Sequence, residues 1–73
     1  MTGHSVLRYA WRMKVSEVLR RLQDDGWIQV KSKGSHRQFS HPRKPGGVTI
    51  AGHLREEVPR GTLNSILKQA GMK

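Results

Sequence analysis

Four histidines, at positions 4, 36, 41 and 53, are the side chains best suited to proton transfer in a chain that has no cysteine and only five Asp plus Glu. An imidazole titrates near neutral pH, so it can act as a general acid or base without special surroundings. His36 is set apart by its neighbours, because the stretch 31–37 places Lys31, Lys33 and Arg37 around it. Cations beside a proton-transfer group can hold negative charge as it develops on a reacting oxyanion. Ser35 and His36 cannot form a nucleophile–base pair on one strand, since adjacent side chains there point to opposite faces. The same rule parts His36 from His41, an odd five residues further on. With no cysteine and few carboxylates nearby, no metal site or cofactor is expected. On the residues alone, His36 reads equally well as a proton-transfer group or as a solvated histidine on a polar strand.

Charge narrows the choice of partner. Lys plus Arg number 14 against 5 Asp plus Glu, a formal net charge of +9 on 73 residues. So positive a body attracts polyanions, which makes nucleic acid the leading partner and an acidic protein covering the same face the second. RNA would bring its own nucleophile, the 2′-hydroxyl beside the scissile phosphate. The protein would then need only to move protons, through His36, and to stabilise phosphoryl oxygens, through Lys31, Lys33 or Arg37. The loop HPRKPGG at 41–47 adds Arg43 and Lys44 as expected phosphate contacts. A chain of this length buries only ~60% of its unfolded surface, so the chemistry belongs on an open face. Its apolar runs are pairs and triplets, far short of the ~20 residues that span a bilayer. Residues 1–12 hold Arg8 and Arg12 but no apolar core of a secretory signal. A cytoplasmic protein is expected.

These side chains must be carried by some scaffold, and the pattern supplies one. Val15, Val18, Leu19 and Leu22 recur at helical spacing, predicting a helix over 16–25 with Ser16 as N-cap and Gly26 as the stop. Alternation predicts strands over 27–32, 35–40 and 48–51, with a turn at Lys33-Gly34 and a polar connection over 52–60. Leu63, Ile66, Leu67 and Ala70 predict a last helix, capped by Thr62 and ended by Gly71. The order α-β-β-β-α implies an α+β fold, a three-stranded antiparallel sheet with both helices on one face. Its expected core joins Ile28, Val30, Phe39, Val48 and Ile50 of the sheet to Leu19, Leu22, Leu63, Ile66 and Leu67 of the helices. Trp27 is expected to be core, and Glu56-Glu57 a solvated pair. Period two then puts Arg37 and Phe39 on the covered side of the second strand, His36 and Gln38 on the open side. Residues 1–12 read as a loosely held extension and 13–73 as the domain.

Four segments resemble, in order, the motifs of one family: MKVSEVLRRLQDDGW at 13–27, KGSHRQFSHP at 33–42, VTIAGH at 48–53 and GTLNSILKQAG at 61–71. They are similar to the successive motifs of HicA toxins, and the likeness covers nearly all of 13–73. Residues 1–12 lie upstream of where members of that family usually start. The resemblance implies a fold similar to the double-stranded-RNA-binding domain and ribonuclease activity on messenger RNA. It also implies a HicB antitoxin that restrains the toxin. The family's functional histidine lies in a Gly-Ser-His motif, which falls on Gly34, Ser35 and His36 here. The resemblance therefore assigns catalysis to His36, while RNA contact is expected from the neighbouring Lys31, Lys33, Ser35 and Arg37 and from Arg43 and Lys44 of the loop. A non-catalytic RNA-binding module is the alternative function, and a protein that only binds an acidic partner is another.

Overall fold

The computed structural model describes residues 12–72. Apart from Arg12, the expected extension lies outside the described residues. Five elements follow one another: α1 (Val15–Asp24), β1 (Ile28–Lys33), β2 (His36–Ser40), β3 (Gly47–Ile50) and α2 (Arg60–Gln69). The strands form one antiparallel sheet in the order β1-β2-β3, with β2 in the centre. The fold is α+β, in the α-β-β-β-α order the pattern implies.

Helix starts differ from the expected caps, for a tertiary reason. The amides of Val15 and Ser16 are already taken by the carbonyls of Glu56 (2.8 Å) and Leu54 (3.1 Å), while Lys14 N donates to Glu17 Oε1 (2.8 Å). A loop thus satisfies the first turn, and Ser16 is not needed as a cap. The second helix begins at Arg60 after Pro59, rather than after Thr62, and Pro59 O accepts the first helical bond from Leu63 N at 2.8 Å. Both helices end as glycine at the stop position predicts. Gly26 N bonds Gln23 O and Trp27 N bonds Leu22 O; Gly71 N bonds Lys68 O and Met72 N bonds Leu67 O. With Gly26 at φ 101° and Gly71 at φ 64°, each is a Schellman motif.

A single core lies between the helices and one face of the sheet. Val15, Val18 and Leu22 of α1 meet Leu63 and Ile66 of α2 over Phe39, Val48 and Ile50, and Met13, Trp27, Val58 and Ala70 close the cluster. Leu19 and Leu67 are only partly buried against it. The expected contribution of β1 is absent: Ile28 is 58% exposed and Val30 62%. The cause is a bulge between Gln29 and Lys31 that leaves Val30 without a partner on β2 and shifts the alternation. Ile28 pairs with Ser40 and therefore shares the open face, while Trp27, just before the strand, is fully buried.

The connection 52–58 is largely exposed but tied down by hydrogen bonds. Val58 N donates to Met13 O at 2.8 Å, Glu56 Oε1 accepts His53 N at 2.6 Å, and Glu57 pairs with Arg12 at 3.5 Å. Glu56 and Glu57 stay exposed to solvent, as expected, while their backbone and carboxylates fasten the connection to α1 and Arg12.

At the far end of α1 a polar cluster joins three elements. His41 is buried, with Nδ1 accepting the amides of Arg43 (3.0 Å) and Lys44 (3.1 Å). An imidazole that accepts at Nδ1 carries its proton on Nε2, which donates to Asp25 O at 2.7 Å. The ring also packs edge-on against Trp27, at 5.2 Å between centroids. Lys44 Nζ forms an ion pair with Asp25 Oδ2 and donates to Ala70 O at 2.9 Å. Trp27 Nε1 donates to the same carboxylate at 3.2 Å.

The hydrogen bond from Lys44 holds the Asp25 carboxyl below the ordinary carboxylate value, with a further pull from the lysine's charge and from the Trp27 bond. A depressed folded value adds stability above the unfolded value, near ~3.9, and loses it as pH falls through the folded one. Asp25→Asn is therefore expected to lower the melting temperature at neutral pH. The gap to the parent should narrow steadily below about pH 4. Thermal melts across that range check this; an equal gap at pH 7 and at strongly acid pH would contradict the ion-pair account.

Candidate nucleic-acid interface

The face of the sheet away from the helices carries the residues singled out for chemistry. Cross-strand pairing sets Lys33 opposite His36 and Lys31 opposite Gln38, while Gln38 also faces Thr49 of β3. Partners directly opposite have Cβ atoms about 5 Å apart and share a face. Lys31, Ser32, Lys33, His36, Gln38 and Thr49 line one shallow groove of about 220 Å³. His36 is exposed, and its imidazole takes no hydrogen bond from the described residues. Neither Lys31 nor Lys33 has an ion-pair partner among the described residues. The sequence from Gly26 to Arg55 contains no carboxylate at all. The charged side chains of the groove, Lys31 and Lys33, are both cationic.

A tight turn holds the key pair in place. Only Gly34 and Ser35 separate β1 from β2, one residue later than the expected Lys33-Gly34 turn. Gly34 has φ 60°, and no residue other than glycine has positive φ among the described residues. A two-residue loop with positive φ at its first position is a type II′ turn, whose twist matches that of paired strands. It puts Lys33 and His36 at the first rung of the hairpin.

The remaining expected contacts divide. Arg37 lies on the covered side of β2, as period two predicts, with its guanidinium donating to Ser35 O (3.2 Å) and Gly52 O (3.0 Å). It braces the Gly34-Ser35 turn against the segment after β3, and Ser35, which does not line the groove, takes part through its carbonyl as acceptor to Arg37. Arg43 is exposed on the loop that His41 holds. Lys44, expected on phosphate, instead spends its ammonium on Asp25 and the end of α2. Three groove residues, Ser32, Gln38 and Thr49, were not among the contacts expected from the sequence. Gln38 is two residues from His36 and so on its face, whereas Thr49 is found only once the β2–β3 register is known. His41 is structural and His53 lies in the 53–56 turn, which leaves His36 the histidine of the open face among the described residues. No three His, Cys, Asp or Glu side chains among the described residues are grouped to hold a metal ion.

A family model described as HicA toxin of bacterial toxin–antitoxin matches residues 15–72, essentially the whole described fold. This chain belongs to the HicA toxin family. It is the toxin of a toxin–antitoxin pair, with an antitoxin as its partner. Among curated proteins there is no match to the chain. In this HicA chain no described helix is long and apolar enough to cross a membrane.

The turn makes a prediction of its own. Space around Gly34 is open, with nothing within 4 Å of an added Cβ, so any penalty is conformational. Gly34→Ala should cost about 1–2 kcal/mol in denaturant unfolding. A D-alanine at position 34, installed by chemical synthesis, suits positive φ and should restore most of that loss. Equal unfolding midpoints for the L- and D-alanine forms would refute the turn assignment.

Proposed function

We propose that this toxin is a metal-independent endoribonuclease that cuts messenger RNA in the cytoplasm, blocks translation and uses His36 as its proton-transfer group. The observation that carries the reading is an exposed imidazole directly across the strand from an unpaired lysine, in a groove without carboxylates. His36 takes the proton of the 2′-hydroxyl as that oxygen attacks phosphorus. The bond to the 5′-oxygen breaks, a 2′,3′-cyclic phosphate forms, and the leaving oxygen picks up a proton from the imidazolium or from water. Lys33 and Lys31 stand where negative charge grows on the phosphoryl oxygens. General acid–base help of this kind contributes ~10²–10⁴-fold in rate. Arg43 contacts backbone phosphate further along, and Ser35 and Arg37 act by shaping the turn. A HicB-type antitoxin would restrain the toxin by covering this groove.

One observation favours a second reading, RNA binding without cleavage. Besides His36 and the two lysines, the groove offers Ser32, Gln38 and Thr49, and so no carboxylate or second histidine to share the proton transfer. Assays of products decide between the two. His36→Ala should lower RNA cleavage by at least ~10²-fold and relieve growth arrest while leaving the fold unchanged, because the side chain is exposed. Cleavage by the parent should persist in excess EDTA. Full activity of the variant would exclude His36, and loss in EDTA with recovery on added zinc or magnesium would exclude the metal-free scheme.

Binding is expected to outlive catalysis. His36→Ala should still hold RNA, with log affinity falling as log salt rises through counterion release. Arg43→Ala should make that slope shallower by roughly one phosphate contact, about 0.7 for a single strand. Lys44→Ala should instead lower the melting temperature, since its ammonium is committed inside the fold. A slope unchanged in Arg43→Ala would place the RNA path away from the 41–47 loop.

A further inference from the structure

Three large apolar side chains are exposed among the described residues, and two of them, Ile28 and Val30, stand together on β1. Neither does anything for the core. Ile28 lies on the open face, opposite Ser40, and Val30 is the bulged residue beside it. From Ser40 to His36 is four residues along β2, or about 13 Å at strand spacing. Exposed Ile28 therefore shares the surface of the cationic groove, with exposed Val30 two residues along the same edge strand.

Aliphatic side chains do not give nucleic-acid bases the flat rings on which they stack. The two aromatic side chains in the described core, Trp27 and Phe39, are both buried. A second copy of the chain is a poor fit as well, because face-to-face pairing would bring Lys31 and Lys33 against their own likeness. Strand addition along the β1 edge is blunted by the bulge. What fits is a protein surface with an apolar centre and a carboxylate rim, the usual anatomy of a stable interface. A footprint of about 800 Å² per partner centred on Ile28 would reach His36 as well.

We infer that Ile28 and Val30 are the apolar anchor by which the antitoxin grips this toxin, a contact that RNA does not use. The inference rests on the proposed function only in setting RNA on the same face. It separates two properties that one surface would otherwise confound: restraint depends on the edge strand's aliphatic pair, cleavage on the groove beside it. A toxin altered at the anchor remains active and escapes its inhibitor.

The test pairs Ile28→Ser/Val30→Ser with Leu54→Ser, an apolar side chain equally exposed (52%) but on the 52–58 connection. Each purified toxin is titrated calorimetrically with its cognate antitoxin, and its RNA cleavage is measured separately. The double variant should bind antitoxin about 30-fold or more weakly, the scale of an interface hot spot. Its circular dichroism, RNA affinity and cleavage rate should match the parent, and Leu54→Ser should match it in every measurement. Antitoxin affinity within threefold of the parent's would overturn the proposal, as would equal weakening by Leu54→Ser. Conversion of a parent dimer to monomer by the double substitution would name a second copy as the occupant and overturn it too. If the parent cuts no RNA, the ribonuclease reading fails, but the calorimetry still decides the anchor.

Discussion

One ammonium group ties the two ends of the molecule together. Lys44 Nζ sits between the carboxylate at the end of α1 and the carbonyls at the end of α2. Both helices present the negative ends of their dipoles there, so a cation at that point serves each of them. His41 completes the joint by spending both ring nitrogens on backbone. The joint adds a polar fastening between the 41–47 loop and the two helix ends, which Leu22, Trp27 and Ala70 already hold in the core. It also explains why so basic a chain keeps one lysine half-buried.

The division of the sheet into two faces follows from the core. Phe39, Val48 and Ile50 alternate with Gln38 and Thr49, so every side chain sent inward commits its neighbour outward. Leu22 and Leu63 fill the space above, and truncating either to alanine falls among changes that cost ~2–5 kcal/mol. The open face carries no such duty. Its residues can be chosen for charge, which accounts for the cationic groove lying there and nowhere under the helices.

Much of this was legible in the sequence. Helical spacing identified Leu22, Leu63 and Ile66 as core, glycines marked both helix ends, and period two put His36 on the open face opposite Phe39. Three features that were not legible depended on how segments meet in space. The carbonyls of Leu54 and Glu56 replaced the expected Ser16 cap. The bulge at Val30 changed the phase of β1 and turned Ile28 outward, which no count of alternating residues could reveal. The sign of a charge did not show where it would be spent, so Lys44 resembled Arg43 until Asp25 and Ala70 were seen beside it.

The place of α2 in the core has a consequence for timing. Leu63, Ile66 and Ala70 lie in the cluster that α1 and the strands share, and Ala70 O receives Lys44. The β1–β2 hairpin is local and can form early, but the core stays open until α2 has been made. At ~5–20 residues per second of synthesis, a nascent chain spends seconds in that unfinished state. The toxin fold therefore closes only once α2 is free to dock on α1 and the strands.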